Sequence, residues 1–408
     1  MAAGAPYRRA RAGVEESVYA WVRLSSALLL GTVGSVGLWA YVVTLPAVEA
    51  SFGATRAEAS LPYSLAMTGF AVGTAAIGPM VDRWGIVRPL SWTCLLLALG
   101  FLASGLAANL PQFALAELTI GIGSSGTFAP LIADISHWFT RHRAIAVALC
   151  ASGNYLGGTL WPPLIEGLVA RAGWRQTQMA IGLACALALP LLLAMRRRLS
   201  RPAAGEPATA AELGGLGVGR AAAFALLCIA GFACCVAMSM PQVHIVAYCG
   251  DLGYGPVRGA EMLSLMLFFG LLSRIGSGFA ADRIGGLATL LVGSVAQGAA
   301  LVLYLLFDGL TPLYAISALF GLFQGGIVPM YALIIREYFA ARQAAALVGF
   351  AITATILGMG IGGWLSGAIF DLTGSYRYAF ANGAAWNALN AAIVLFLLLR
   401  RGRYARCA

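Results

Sequence analysis

The sequence predicts an all-α integral membrane protein of twelve transmembrane helices, arranged as two parallel six-helix repeats. Three observations carry that reading. Of the 408 residues, 60% are hydrophobic and only 10% are charged, against about 25% charged in an average soluble domain. Twelve apolar stretches follow one another along the chain, each near the roughly 20 residues a helix needs to cross a bilayer core. Finally, a set of residues recurs at an offset of 200 positions.

Helices, rather than a closed barrel, are the solution such long apolar runs offer to backbone hydrogen bonding in lipid. The predicted spans 1 to 6 are 24–48, 59–80, 88–108, 111–136, 144–170 and 174–195; spans 7 to 12 are 221–249, 259–280, 286–307, 312–335, 344–370 and 377–399. Turn signals separate closely spaced neighbours: "ANLPQ" divides spans 3 and 4, and "FDGLTP" divides spans 9 and 10. Between spans 6 and 7 lies "RRRLSRPAAGEPATAAELGGLGVGR", a Pro/Gly/Ala-rich, arginine-flanked linker of the flexible type. The chain therefore divides into an N-terminal bundle with its tail (1–195), a linker expected to be disordered (196–220) and a C-terminal bundle with its tail (221–408).

The formal net charge of +10 invites a nucleic-acid reading, but the distribution of the cations argues for topology instead. All 26 basic residues are arginine: with both termini inside, 20 fall in the termini, inner loops and inner span ends, 5 in outer loops and outer span ends, and one, Arg274, in the interior of a span. The positive-inside rule places the N-terminus, the linker and the C-terminus in the cytoplasm. The first 20 residues lack a hydrophobic h-region and a small-residue cleavage site, so they read as a cytoplasmic tail, with span 1 as an uncleaved insertion signal. The eight cysteines have no metal-ligand spacing, and adjacent Cys234 and Cys235 do not suit an ordinary bridge. No metal or other cofactor is expected, and no grouping of nucleophile, base and acid suggests an enzyme.

The repeat is specific. "GPMVDRWG" carries Gly78, Asp82, Arg83 and Gly85, and "SGFAADRIG" carries Gly278, Asp282, Arg283 and Gly285. Gly121 pairs with Gly321, Gly126 with Gly326, Phe139 with Phe339 and Ala144 with Ala344. An even number of spans per half gives the halves the same orientation, and two parallel halves around a midplane site can rock to open it to each side in turn. An acid at a helix end can bind an arginine or a neighbouring helix N-terminus, so the two Asp-Arg pairs read as latches of the inner face.

An arginine within a span costs about 2.5–3.5 kcal/mol on insertion scales and marks a functional-site hypothesis. Arg274 lies in the inner half of span 8 with no acid within a turn of it. A carboxylate from outside the protein suits its planar fork. Tyr41, Asn154, Tyr155, Gln324 and Tyr331 are midspan polar candidates for the same cavity, beside Trp39, Thr44, Ser124, Ser125, Thr127, Thr353 and Thr355. His244, suited to titration near neutral pH, and Glu117, in an apolar helix, are the candidates for carrying a proton. The glycines of "GMGIGGWLSG" are assigned to close helix packing.

The duplicated Gly-x-x-x-Asp-Arg-x-Gly element resembles the inner-loop signature of the major facilitator superfamily. With "HWFTRHRAIAVALCASGNYLGG", "MPQVHIVAYCGDLGYG" and "SRIGSGFAADRIGG", the chain resembles the monocarboxylate transporter and oxalate/formate antiporter group within it. In that group a span-8 arginine four residues before a glycine and eight before the loop acid is associated with the substrate carboxylate. Arg274, Gly278 and Asp282 fit that spacing. Gly270 stands where some members have an acid, and the lysines other members use are absent, since the chain has none.

The resemblance implies a monomeric secondary carrier of the inner (plasma) membrane, taking up a small monocarboxylate with a proton by alternating access. Proton-independent exchange of organic anions and efflux of amphiphilic drugs are the alternatives.

Overall fold

The structure is a computed structural model that describes residues 17–139, 142–196 and 218–407. The N-terminal tail 1–16 and linker residues 197–217 lie outside the described residues. Every regular element among the described residues is helical. Span 1 is Val18–Gly34 followed by Val36–Phe52; spans 2 and 3 are Arg56–Trp84 and Val87–Leu106; span 4 is Leu110–Ser125 with Ala129–Trp138. Span 5 is Arg143–Ala172, and span 6 is Trp174–Leu187 with a short 3-10 segment, Leu189–Met195. Spans 7 to 9 are Arg220–Asp251, Pro256–Ile284 and Gly286–Leu306; span 10 is Leu310–Gln324 with Ile327–Tyr338; spans 11 and 12 are Ala341–Thr373 and Tyr376–Cys407.

Among the described residues eleven of these are long and apolar enough to cross a membrane. Span 5 matches them in length, at 30 residues, but Asn154, Tyr155, Pro162 and Pro163 dilute its middle. Most helices run several residues beyond the predicted spans. The first begins at Val18 rather than 24, which takes Arg23 into the bundle. There Arg23 is 1% exposed and forks onto Asp134 of span 4 at 2.7 and 2.8 Å, with Trp138 beneath its guanidinium. An arginine of the predicted N-terminal tail is thus a buried pin between spans 1 and 4.

The repeat seen in the sequence is a repeat in space. A Cβ on Gly121 would stand 1.9 Å from the carbonyl oxygen of Ala66, and one on Gly321 2.0 Å from that of Met266. Both contacts join the fourth helix of a half to its second, and both partners are 200 residues apart. Spans 4 and 10 also break at equivalent places, after Ser125 and after Gln324, where Gly126 and the pair Gly325 and Gly326 interrupt the apolar run. Behind these helices the C-terminal half is knitted by amides. Asn390 accepts from Tyr331 and donates to Ser294 Oγ, both at 2.8 Å, and Asn387 donates to the Ser294 carbonyl.

The start of span 1, the end of span 6, both Asp-Arg turns and the last turns of span 12 lie at one end of the bundle, called the terminal end; the other is the far end. The halves meet through spans 2 and 11 and spans 5 and 8. A Cβ on Gly363 would approach Tyr63 to 2.9 Å, one on Gly367 the Arg56 carbonyl to 2.7 Å, and one on Gly270 the Tyr155 ring to 2.5 Å. Two hydrogen bonds between the halves follow the repeat to within one residue. Ser64 Oγ donates to the Gly360 carbonyl at 2.6 Å and Ser264 Oγ to that of Thr159 at 2.5 Å. Toward the terminal end the same four spans part: Gly78, Gly276, Gly278 and Gly349 face open space. The molecule is closed at its far end and open at its terminal end.

Candidate functional site

Span 8 carries Arg274 past the last close contact between the halves. Its guanidinium carbon lies 4.5 Å over the ring of Tyr155 on span 5, a cation–π contact across the interface. Its Nε has no hydrogen-bond partner, and no carboxylate among the described residues pairs with it. Asn154 precedes Tyr155, and its buried Oδ1 is also without a partner. One turn further along span 5, Gly158 admits the indole of Trp39, whose Nε1 is likewise unsatisfied. These three helices thus bring a cation, an N–H donor and an amide oxygen to one level of the interface.

Gln324 reaches the same region from span 10. It ends its helix, and the following Gly325 packs against the backbone of Gly270, one turn along span 8 from Arg274. Gln324 Oε1 accepts from Gln242 Nε2 of span 7 at 2.7 Å, which leaves Gln324 Nε2 and Gln242 Oε1 buried and unpaired. Gln242 was not singled out in the sequence, where one amide in an apolar span carries no direction. Unpaired buried polar groups cost about 1–3 kcal/mol each, so their collection around one interface is expected only where something else satisfies them.

The structure does not bring Tyr41 or Tyr331 to this group. The Tyr41 hydroxyl donates to the Ala59 carbonyl, with its ring against Phe113, and Tyr331 is held by Asn390 inside the C-terminal half. Ser124, Ser125, Thr127, Thr353 and Thr355 each donate to a carbonyl three or four residues back. That is the ordinary way a hydroxyl is satisfied within a helix. Of the two proton-carrying candidates, Glu117 is 1% exposed in span 4 with Oε1 unpaired. His244 is buried in span 7, its Nδ1 3.2 Å from the Tyr376 hydroxyl and its Nε2 2.8 Å from the Gly363 carbonyl.

Asp82, Arg83, Asp282 and Arg283 are exposed at the terminal-end helix ends. Among the described residues Arg83, Asp282 and Arg283 make no hydrogen bond or ion pair, as an open end requires. The glycines closing the two motifs, Gly85 (φ 75°, ψ 170°) and Gly285 (φ 84°, ψ 160°), occupy a region essentially reserved to glycine.

A cluster at the far end was missed by the sequence reading. Arg56, 7% exposed at the start of span 2, forks onto Asp251 of span 7 at 3.2 and 3.4 Å. Its Nε lies 2.7 Å from Glu49, close enough for an ion pair though not aligned as a hydrogen bond. Its Nη1 donates to the Tyr376 hydroxyl. Asp371 of span 11 accepts from the backbone N–H groups of Arg56 at 3.0 Å and Ala57 at 2.7 Å, an anion from one half capping a helix N-terminus of the other. Only the capping pattern Thr55 to Glu58 hinted at order there; apart from Glu49 on span 1, the partners lie 195 to 320 residues away.

Comparison with known proteins agrees with this architecture. The sequence pattern of the Major Facilitator Superfamily matches residues 27–313 and again 262–406. Monocarboxylate transporter 13 of Bos taurus is 28% identical over 383 residues, covering 91% of this chain and 86% of that protein. Monocarboxylate transporter 11 of Mus musculus is 25% identical, covering 90% and 85%.

Among solved structures, the nucleoside transporter NupG superposes with a TM-score of 0.72 at 13% identity, over 93% of this chain and 100% of its own. A bacterial homologue of the human lysosomal transporter Spinster, in an inward-facing and occupied conformation, gives 0.70 at 16% identity over 95% and 97%. The chain therefore belongs to the major facilitator superfamily, as a multi-pass transporter and not an enzyme, and within that superfamily it resembles the monocarboxylate transporters.

Proposed function

We propose that the protein is a proton-coupled carrier of a small monocarboxylate, working by alternating access as a monomer in the plasma (inner) membrane with both termini cytoplasmic. The bundles 1–195 and 221–408 are the rocking bodies and 196–220 their linker. The observation that carries the reading is Arg274, a cation without a carboxylate among the described residues, stacked on Tyr155 where the halves meet. A bound carboxylate supplies the missing anion, and the guanidinium fork takes it bidentately. The names of the relatives support the same substrate class.

In this reading the far end faces outward, and the conformation with Arg274 accessible from the terminal end faces inward. Tyr155 holds the guanidinium flat, while Asn154 and Gln324 supply further polar groups to the substrate. Tyr41 and Tyr331 brace the two bundles behind the cavity. Asp82, Arg83, Asp282 and Arg283 latch the inner face when it closes, and His244 or Glu117 takes the proton. Symport of one anion with one proton is electroneutral, so a pH gradient alone drives it.

The test is uptake of labelled short aliphatic, hydroxy, keto and aromatic monocarboxylates, and oxalate, into proteoliposomes with and without an inward proton gradient. Acceleration by the gradient for a monocarboxylate, abolished in Arg274→Gln, is the expected result. Transport that follows membrane voltage and ignores the pH gradient overturns it.

A further inference from the structure

The far-end cluster and His244 are one connected system. A guanidinium has only donors, so at the contact with Arg56 Nη1 the Tyr376 oxygen accepts. The Tyr376 proton needs an acceptor of its own, and the lone pair of His244 Nδ1, 3.2 Å away, provides it. That assignment puts the histidine hydrogen on Nε2, where the Gly363 carbonyl at 2.8 Å accepts it. Every donor and acceptor in the chain from Arg56 Nη1 through the Tyr376 hydroxyl and the His244 ring to the Gly363 carbonyl is satisfied by a neutral imidazole. The Tyr376 ring also packs on those of His244 and Tyr248.

We infer that His244, joined through Tyr376 to the ion pairs of Arg56, is a proton-binding site of the far-end gate, and that a proton bound there opens the gate. The proton adds to Nδ1, turning the acceptor of the Tyr376 hydroxyl into a donor aimed at the same oxygen that already receives Arg56. The Tyr376 hydrogen loses its acceptor, and a second cation then stands one hydroxyl away from the guanidinium. The charged and titratable groups facing His244 are Arg56 and Glu49 from the N-terminal half, Asp251 and Tyr248 on its own helix, Asp371 on span 11 and Tyr376 on span 12. Across the gate the Arg56 guanidinium holds Asp251, while the backbone N–H groups of Arg56 and Ala57 hold Asp371, so repulsion of Arg56 releases span 7 and loosens span 11 from the start of span 2. The site deepens the proton-coupled reading, and it places the proton at the gate, away from Arg274.

The experiment is backbone hydrogen–deuterium exchange of the full chain in nanodiscs at pH 5.5 and 7.5, corrected for intrinsic exchange, beside proton-driven uptake of the panel described above. In the wild type, the far-end segments 55–58 and 371–377 exchange at least tenfold faster at pH 5.5. In His244→Gln, whose amide can donate to Gly363 and accept from Tyr376 without ever charging, the ratio falls below twofold and gradient-driven uptake is lost. Tyr376→Phe, which cuts the link while leaving the histidine in place, also loses the pH response.

A wild-type pH response in His244→Gln overturns the inference, and so does gradient-driven uptake that His244→Gln leaves unchanged. A gate that responds to pH through His244 in a protein whose uptake ignores the proton gradient instead removes the symport reading and leaves the site standing.

Discussion

The two ends of the bundle are closed by different kinds of parts. At the terminal end the parts come in two copies: Asp82-Arg83 with Gly85, and Asp282-Arg283 with Gly285. At the far end they come once. The positions 200 residues from Glu49, Arg56 and His244 are Cys249, Pro256 and Thr44, and those from Asp251, Asp371 and Tyr376 are Ser51, Arg171 and Gln176. The duplication therefore accounts for the frame of the bundle and for the parts at the terminal end, while the lock that holds this conformation is asymmetric and belongs to no repeat. Arg274 belongs to neither lock and stands between them, and its counterpart in the repeat is Thr74.

Changes at the three levels should separate cleanly. The largest effect is expected between the locks: Arg274→Gln lowers kcat/KM for the monocarboxylate about a hundredfold, the upper end of what charge-assisted hydrogen bonds contribute. Far-end exchange rates stay as in the wild type, and an Arg274→Gln protein with altered far-end exchange breaks the separation. Next come Gly85→Ala and Gly285→Ala, each costing about 2 kcal/mol because alanine is forced into a glycine-only backbone region. Thermal unfolding in detergent should show equal losses in the two, and unequal losses mean that the repeat does not extend to energetics. Arg56→Gln is smaller. Breaking a fully buried pair costs about 3–5 kcal/mol, but the Asp251 side chain is 39% exposed, so an increase of about tenfold in the far-end-open population is expected, read from distances between labels at exposed Ser51 and Thr373.

What was legible in the sequence follows the same division. The twelve helices and their pairing were readable because apolar runs and a fixed offset are properties of the chain itself. The breaks in spans 4 and 10 were marked by Gly126, Gly325 and Gly326, yet those residues read equally well as packing glycines, since either role asks only for a missing side chain. Tyr41 and Tyr331 had the right type and depth but the wrong azimuth, and sequence gives no direction around a helix that is apolar on all sides. Arg56 fell in a predicted outer loop, three residues before span 2, where an arginine looks solvated. Its partners come from spans 1, 7 and 12, and nothing local in the chain announces a contact that only docking of the halves creates.

The smallest effect tests whether the two locks oppose each other. Arg56 stands at the far end of span 2 and Asp282 at the terminal end of span 8 (Pro256–Ile284), about 39 Å apart along the bundle at 1.5 Å per residue. Substitutions at that distance with no shared partner add within about 0.3–0.5 kcal/mol. Asp282→Asn removes a latch residue that pairs with nothing among the described residues in this conformation, so it should lower the far-end-open population by a few-fold and leave the conformation described here intact. Combined with Arg56→Gln it should return the label distances most of the way to those of the wild type, because each lesion weakens one of two competing closures. If the combination opens the far end further than Arg56→Gln alone, the Asp-Arg pairs also support the terminal-end-open state, and the assignment of one lock to each conformation fails.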